Sequence, residues 1–287
     1  MNPFAGRDDP TTVAAAQQGD RDALTEIIER HRPWVYNIAV RMMGDAGSAE
    51  DATQDIFIKV LKGLARFEGR SSFRTWLYRV AFHYLLNAKR SLGEQAVGTF
   101  EEYGAGLDAA PNLGLEDIPQ PERELLVEEA MTACMTGMLL CLSREQRLAY
   151  VLGSVFSVTD TVASEILGIA ATTYRKRLQR ARAELHNFMN GHCGLINKDN
   201  PCRCARKTRA FFEAGHLDRK ELKFQRDRVA SIGEVASRDA AVVYEKLTND
   251  YPALYRKHPF SDPKQLAERL STLLQGTALD GLLGSSD

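Results

Sequence analysis

Residues 159–182 read TDTVASEILGIAATTYRKRLQRAR. Two helical runs, residues 159–168 and 171 to about 189, flank Gly168, which sits where a turn often needs a positive φ. Leu178, Ala181, Leu185 and Phe188 recur at helical spacing and bury one face of the second run. Arg175, Lys176, Arg180 and Arg182 fall largely off that face. From Arg175 to Arg182 there are five basic residues and no acidic one. A short helix, a glycine turn and a basic helix form the geometry that lays the second helix in a major groove. There Arg and Lys can reach guanine edges or phosphates, and Thr172 and Thr173 can cap the helix and touch the DNA. A basic helix alone would more often be the solvated face of an ordinary bundle. The glycine turn and the capped helix before it shift the balance towards duplex DNA.

Working upstream, Ser143 and Gln146 have capping-box spacing and open a helix through about Leu152. Helical periodicity begins near Pro121, with Leu125, Leu126, Ala130, Met131, Cys134, Met138 and Leu139. Residues 91–121 break the pattern with five glycines and three prolines. They read as a linker or loosely ordered segment. From Ser91 to Glu129 there are ten acidic residues and one basic, whereas Arg66 to Arg90 holds six basic and one acidic. A formal net charge of −1 therefore hides two positive patches separated by a negative belt.

The N-terminal part is also helical. Ala23, Leu24, Ile27, Ile28, Val35, Ile38, Ala39 and Met42 form one stripe, and Pro33 is expected to start a new helix or kink this one. A further helix is expected from Ser48, with Asp51 completing a capping-box variant. Its buried stripe is Ala52, Ile56, Val60, Leu61 and Leu64. Residues 67–72 form a loop, and residues 73–90 a helix rich in aromatics and arginines. Aromatics stack on unpaired bases while arginines follow the backbone, a combination suited to opening DNA. At helical spacing Phe73, Trp76, Leu77 and Val80 also fit a core, which leaves Arg74, Arg79, His83 and Asn87 as the better surface candidates.

Several function classes are disfavoured. No run approaches the roughly 18–20 apolar residues of a membrane helix, and residues 1–10 lack an apolar signal core. A cytoplasmic protein without membrane insertion is expected. Five cysteines in 287 residues do not suggest a disulfide scaffold. There is no phosphate loop, and His83 with Asp51 is the nearest thing to an acid–base pair, so an enzyme is not expected. An ordinary helix–turn–helix regulator explains residues 143–189 but leaves Asp51 to Arg90 without a role.

Two segments carry a family resemblance. DATQDIFIKV (51–60), Phe67 and FRTWLYRVA (73–81) resemble region 2 of the extracytoplasmic-function (ECF) sigma factors of the sigma-70 family. LSREQR (142–147), EILGI (165–169) and RKRLQRAR (175–182) resemble region 4. The resemblance covers roughly residues 12–90 and 125–189. It implies an all-α fold: a region 2 bundle over residues 12–90, a flexible acidic linker over 91–121, a region 4 helix–turn–helix over 122–190, and a helical extension over 191–287. It implies an RNA polymerase sigma factor with core RNA polymerase and promoter DNA as partners, and an anti-sigma factor as a candidate third. Asp51, Gln54, Asp55, Phe57 and Lys59 would dock on the β′ clamp helices, and region 4 would meet the β flap. Arg70, Phe73, Arg74, Arg79, His83 and Asn87 would recognise and melt the −10 element. Thr172, Thr173, Arg175, Lys176, Arg177 and Arg180 would read the −35 element, and the acidic linker would thread towards the polymerase active-site channel. The chain departs from the family in places. His83 and Asn87 stand where members often carry Asn and Asp. Ser164 replaces a usual alanine, and Ala170-Ala171 open the recognition helix where polar residues are common. These changes point to unusual promoter preferences.

The extension is not explained by the resemblance. His192, Cys193, Cys202 and Cys204 offer up to four ligands for zinc or another metal. Reduced structural thiols and a disulfide switch are the other readings, and no cofactor is otherwise required. From Arg206 to Gln275 the periodicity is helical without a catalytic constellation, which suggests a fused regulatory domain.

Overall fold

The computed structural model describes residues 10–217, Leu222, Tyr255, Arg256 and residues 260–275. Phe224, Val229, Ile232, Val235, Val242, Val243, Leu247 and Leu254, expected on extension helices, lie outside the described residues.

The first module is a helical bundle. Pro10–Gln17 (α1) and Arg21–Met43 (α2) are separated by a turn at Gly19. Asp20 caps α2, its carboxylate accepting from the Ala23 N–H. α2 runs unbroken through Pro33, so no new helix starts there. Ala46–Leu64 (α3) begins two residues earlier than expected. Its cap is Asp45, which accepts from Ser48 N–H at 2.7 Å, and the Ser48–Asp51 capping box does not form. Phe73–Asn87 (α4) follows the loop, capped by Ser72.

Residues 91–121, expected to interrupt the helical pattern, contain two helices. Leu92–Ala96 (α5) and Phe100–Ala109 (α6) each open with a complete capping box, Ser91 with Glu94 and Thr99 with Glu102. Four orphan N–H groups per helix start make such caps decisive for short helices. Gly93 brings α5 against the end of α2. A Cβ there would lie 2.6 Å from the Met43 carbonyl oxygen, so only glycine permits this approach.

The second module comprises Gln120–Leu140 (α7), Arg144–Tyr150 (α8), a π-helical turn over Val151–Val155, Asp160–Leu167 (α9) and Ala171–His192 (α10). The expected Ser143–Gln146 capping box is present. One buried apolar cluster runs through both modules, and Trp34 of α2 meets Phe156 edge to face at 5.5 Å. Such burial contributes roughly 1.5–3 kcal/mol per large side chain.

The extension starts with Cys204–Glu213 (α11), which packs on α7. Lys207 donates to the Ala110 carbonyl, and Arg209 bonds the Gly114 carbonyl and the Asp117 carboxylate. The acidic segment thus meets basic partners from its own chain. Lys264–Gln275 (α12) lies against α2 and α3. No described helix is long and apolar enough to cross a membrane.

Candidate nucleic-acid interface

α3 turns its buried stripe inward and leaves Asp51, Asp55 and Lys59 exposed, with Gln54 half-buried. Asp55 accepts a 2.6 Å hydrogen bond from the Tyr84 hydroxyl of α4, and Lys59 lies 6.0 Å over the Tyr84 ring. Desolvation first, and then the bond to Asp55, push the Tyr84 phenol upwards, so it stays a neutral donor. Phe57, expected to help dock polymerase, is fully buried. It falls on the same helical side as Ile56 and Val60, so it supports the face rather than forming it.

α4 separates its aromatics from its polar residues. Phe73, Tyr78 and Phe82 are buried, while His83 and Asn87 are exposed and Arg74 and Arg79 half-buried. Phe73 meets Phe67 edge to face and Trp76 at a tilt, both with ring centroids 5.6 Å apart, which corrects its assignment as a DNA contact: its ring is buried and already has aromatic partners. Lys59, Trp76, Arg79, His83 and Asn87 help line a groove of about 610 Å³. Arg70 stands apart on the exposed loop, paired with Glu68 at 2.5 Å. Arg79 donates to the Glu165 carbonyl of α9 at 3.0 Å, so the helix–turn–helix packs beside this groove.

The helix–turn–helix matches its sequence reading. Thr159 caps α9 and Gly168 adopts φ 64°, its N–H closing on α9 carbonyls. Along α10, Tyr174, Ala181, Leu185 and Phe188 are buried, with Leu178 half-buried. Thr172, Thr173, Arg175, Lys176 and Arg180 are exposed and Arg177 half-exposed. The cap position is Ala170, with no side-chain cap, so neither threonine serves that purpose. Arg175 pairs with Asp160 across the turn at 2.9 Å.

Sequence reading missed a charge node between the modules. Glu94 of α5 is buried and takes Arg144 at 2.6 Å and Arg147 at 2.9 Å. Arg147 also donates to the carbonyls of Leu139, Leu140, Leu142 and Met42. Arg144 donates to those of Leu86 and Lys89, near the end of α4. Cations at helix C-termini complement the dipole there. Burial alone would raise the Glu94 pKa. The hydrogen bonds from Arg144 and the Ser91 backbone, with the charge of Arg147, outweigh it and hold the carboxyl at about 2. Both arginines lie inside the quoted LSREQR motif, and Ser91 and Glu94 have capping-box spacing, so the signals were present separately.

Of the three readings of the cysteine loop, reduced thiols describe the geometry seen. The backbones of Cys193 and Cys202 pair in an isolated parallel β-bridge, and all five cysteines are free thiols. His192 stacks on Phe188 at 4.7 Å and places Nδ1 3.4 Å from Asp108, turned to α6. Among the described residues no three His, Cys, Asp or Glu side chains are grouped to hold a metal ion, so the geometry gives the zinc expectation no support. Burial raises the pKa of Cys193 and Cys202, and pushes Cys204 to about 12, which favours protonated thiols.

Comparison with known proteins adds to this geometry. Residues 27–94 match the sigma-70 region 2 family. RNA polymerase sigma-H factor of Pseudomonas aeruginosa is 28% identical over 61% of this chain and 90% of its own length. ECF RNA polymerase sigma factor SigE of Mycolicibacterium smegmatis is 29% identical over 64% and 70% respectively. The solved sigma factor RpoE of Bartonella quintana, in complex with the anti-sigma factor NepR, aligns with 57% of this chain and 95% of its own at 20% identity and a TM-score of 0.37. The region 2 match spans most of α2 and all of α3 and α4, and the relatives extend the likeness across both modules, so the chain is similar to the extracytoplasmic-function sigma factors of the sigma-70 family, and this likeness supports a promoter-directing RNA polymerase sigma factor rather than an enzyme.

Proposed function

We propose that the exposed residues of three helices divide the work of initiation. Asp51, Gln54, Asp55 and Lys59 of α3 dock on the β′ clamp helices of core RNA polymerase. His83 and Asn87 of α4, with Arg74, Arg79 and the loop residue Arg70, engage and open the −10 element. Thr172, Thr173, Arg175, Lys176, Arg177 and Arg180 of α10 read the −35 element, with region 4 on the β flap. The acidic segment with α5 and α6 follows the path towards the active-site channel. All of this takes place in the cytoplasm.

One observation carries the reading. Phe73, Tyr78 and Phe82 of α4 are buried while its Arg79, His83 and Asn87 line an open groove, and α10 keeps its basic residues outward around an apolar stripe. A structural bundle would have no need to present cations on two such faces. The test is a pair of variants. Lys59→Glu lowers affinity for core polymerase. His83→Ala with Asn87→Ala leaves that affinity intact but reduces permanganate reactivity of unpaired thymines at the promoter. Equal effects of both variants on core affinity would refute the division of labour.

A further inference from the structure

Residues 260–275 run antiparallel along α2 and end beside α3. Phe260 meets Trp34 edge to face at 4.8 Å. Ser261 is bracketed by Asn37, which donates to its carbonyl at 2.6 Å and accepts from its N–H at 3.1 Å. Asp262 receives Arg32 in a two-pronged pair, both contacts at 2.8 Å. In α12, Leu266, Leu270 and Leu274 recur every four residues and are all buried, one apolar stripe on the bundle. Beside that stripe, Arg269 bonds Asp51 at 2.8 Å and the Gln54 amide oxygen, and lies 3.9 Å from Glu50.

Asp51 and Gln54 are two of the residues assigned above to polymerase docking. The same atoms cannot serve α12 and a second protein together. We propose that α12 is an in-cis occupant of the polymerase-docking face, so that this sigma factor binds core polymerase only when α12 is displaced. The inference rests on the docking role of α3 given under the proposed function. The construction of the contact suits a releasable occupant. The apolar stripe holds the helix, while the half-exposed Arg269 fixes its register on α3 through ion pairs that water and salt weaken. The segment before α12 also grips the second module. Tyr255 packs on Tyr150 at 5.3 Å, and Arg256 donates to the Ser154 carbonyl at 2.9 Å.

Two measurements on the full chain test this. The first is affinity for core RNA polymerase. Arg269→Ala raises it several-fold, and Leu266→Asp with Leu270→Asp, which expels the whole helix, raises it further. Since Arg269 lies at the rim, its truncation leaves the fold intact. Affinity unchanged or lowered in both variants overturns the proposal. The second is hydrogen exchange with and without core polymerase. Displacement predicts slower exchange at residues 51–59 and faster exchange at residues 264–275. Slowing at 51–59 with α12 unchanged or slowed would overturn the masking but leave the docking role standing. No slowing at 51–59 would overturn the docking role itself, and the masking with it.

Discussion

Replacing Glu94 by glutamine removes one negative charge from between two arginines while keeping the shape. Arg147 is then left as a buried guanidinium with carbonyl partners but no counter-charge. Breaking one side of a buried pair costs about 3–5 kcal/mol. The titration of Glu94 gives a second figure. A carboxyl held at about 2, against an ordinary value of about 4.3, corresponds to ~3 kcal/mol of stabilisation by the ionised form. The two routes agree on about 3 kcal/mol at neutral pH. The sign of the pH dependence follows from the depressed pKa. The contribution is complete above the unfolded value, about 4.3, and is lost as pH falls towards 2. Urea unfolding followed by helical circular dichroism and tryptophan fluorescence measures both. The gap between wild type and Glu94→Gln should be about 3 kcal/mol and flat from pH 7 to 5, then shrink as pH approaches 3. A gap under about 1 kcal/mol at pH 7, or one independent of pH down to 3, would refute the assignment of Glu94 as the charged link between the modules.

Other consequences can be measured as readily. Gly168→Ala forces an L-residue into φ 64° with open space around it, so backbone strain alone should lower stability by roughly 1–2 kcal/mol in the same urea assay. Arg177→Ala and Arg180→Ala should weaken promoter binding in a gel-shift titration. A lost base contact costs about 1–3 kcal/mol and relaxes sequence preference, whereas a lost phosphate contact lowers the salt dependence by about one ion. Cys134 and Cys204 should react slowly with a thiol reagent at pH 8 and quickly in urea, because burial raises both pKa values. Fast labelling of the folded chain would contradict that. Zinc measured in the purified protein and in Cys202→Ser decides the metal reading: a full equivalent that disappears in the variant would support it, and no bound metal in the wild type would refute it.

The sequence was most informative where structure is decided locally. Gly168 and the Ser143–Gln146 box place the helix–turn–helix because a positive φ and a cap each depend on a few adjacent residues. The same logic was available at residues 91–121, where Ser91 with Glu94 and Thr99 with Glu102 have the capping-box spacing. The five glycines and three prolines of the segment argue for a break, yet the two caps hold two short helices there. Phe57 and Phe73 show a different limit. A motif can mark a helix as functional, but the helical phase decides which of its residues reach the surface, and both rings turn inward. The contacts that join distant parts left no local trace. Arg269 meets Asp51 across 218 positions and Lys207 meets Ala110 across 97, and neither pairing has a periodicity to announce it. The cysteine loop suggested ligands through residue type alone, whereas the side chains of His192 and Cys193 end up facing different neighbours.

Initiation itself tests the central claim most directly. Core RNA polymerase is combined with this chain and promoter fragments from the host in a run-off transcription assay. The account predicts transcripts of defined length that appear only when the chain is added and that are lost with Arg177→Ala and Arg180→Ala together. Binding to duplex DNA without any promoter-specific transcript would contradict it, and would make the chain an ordinary helix–turn–helix regulator.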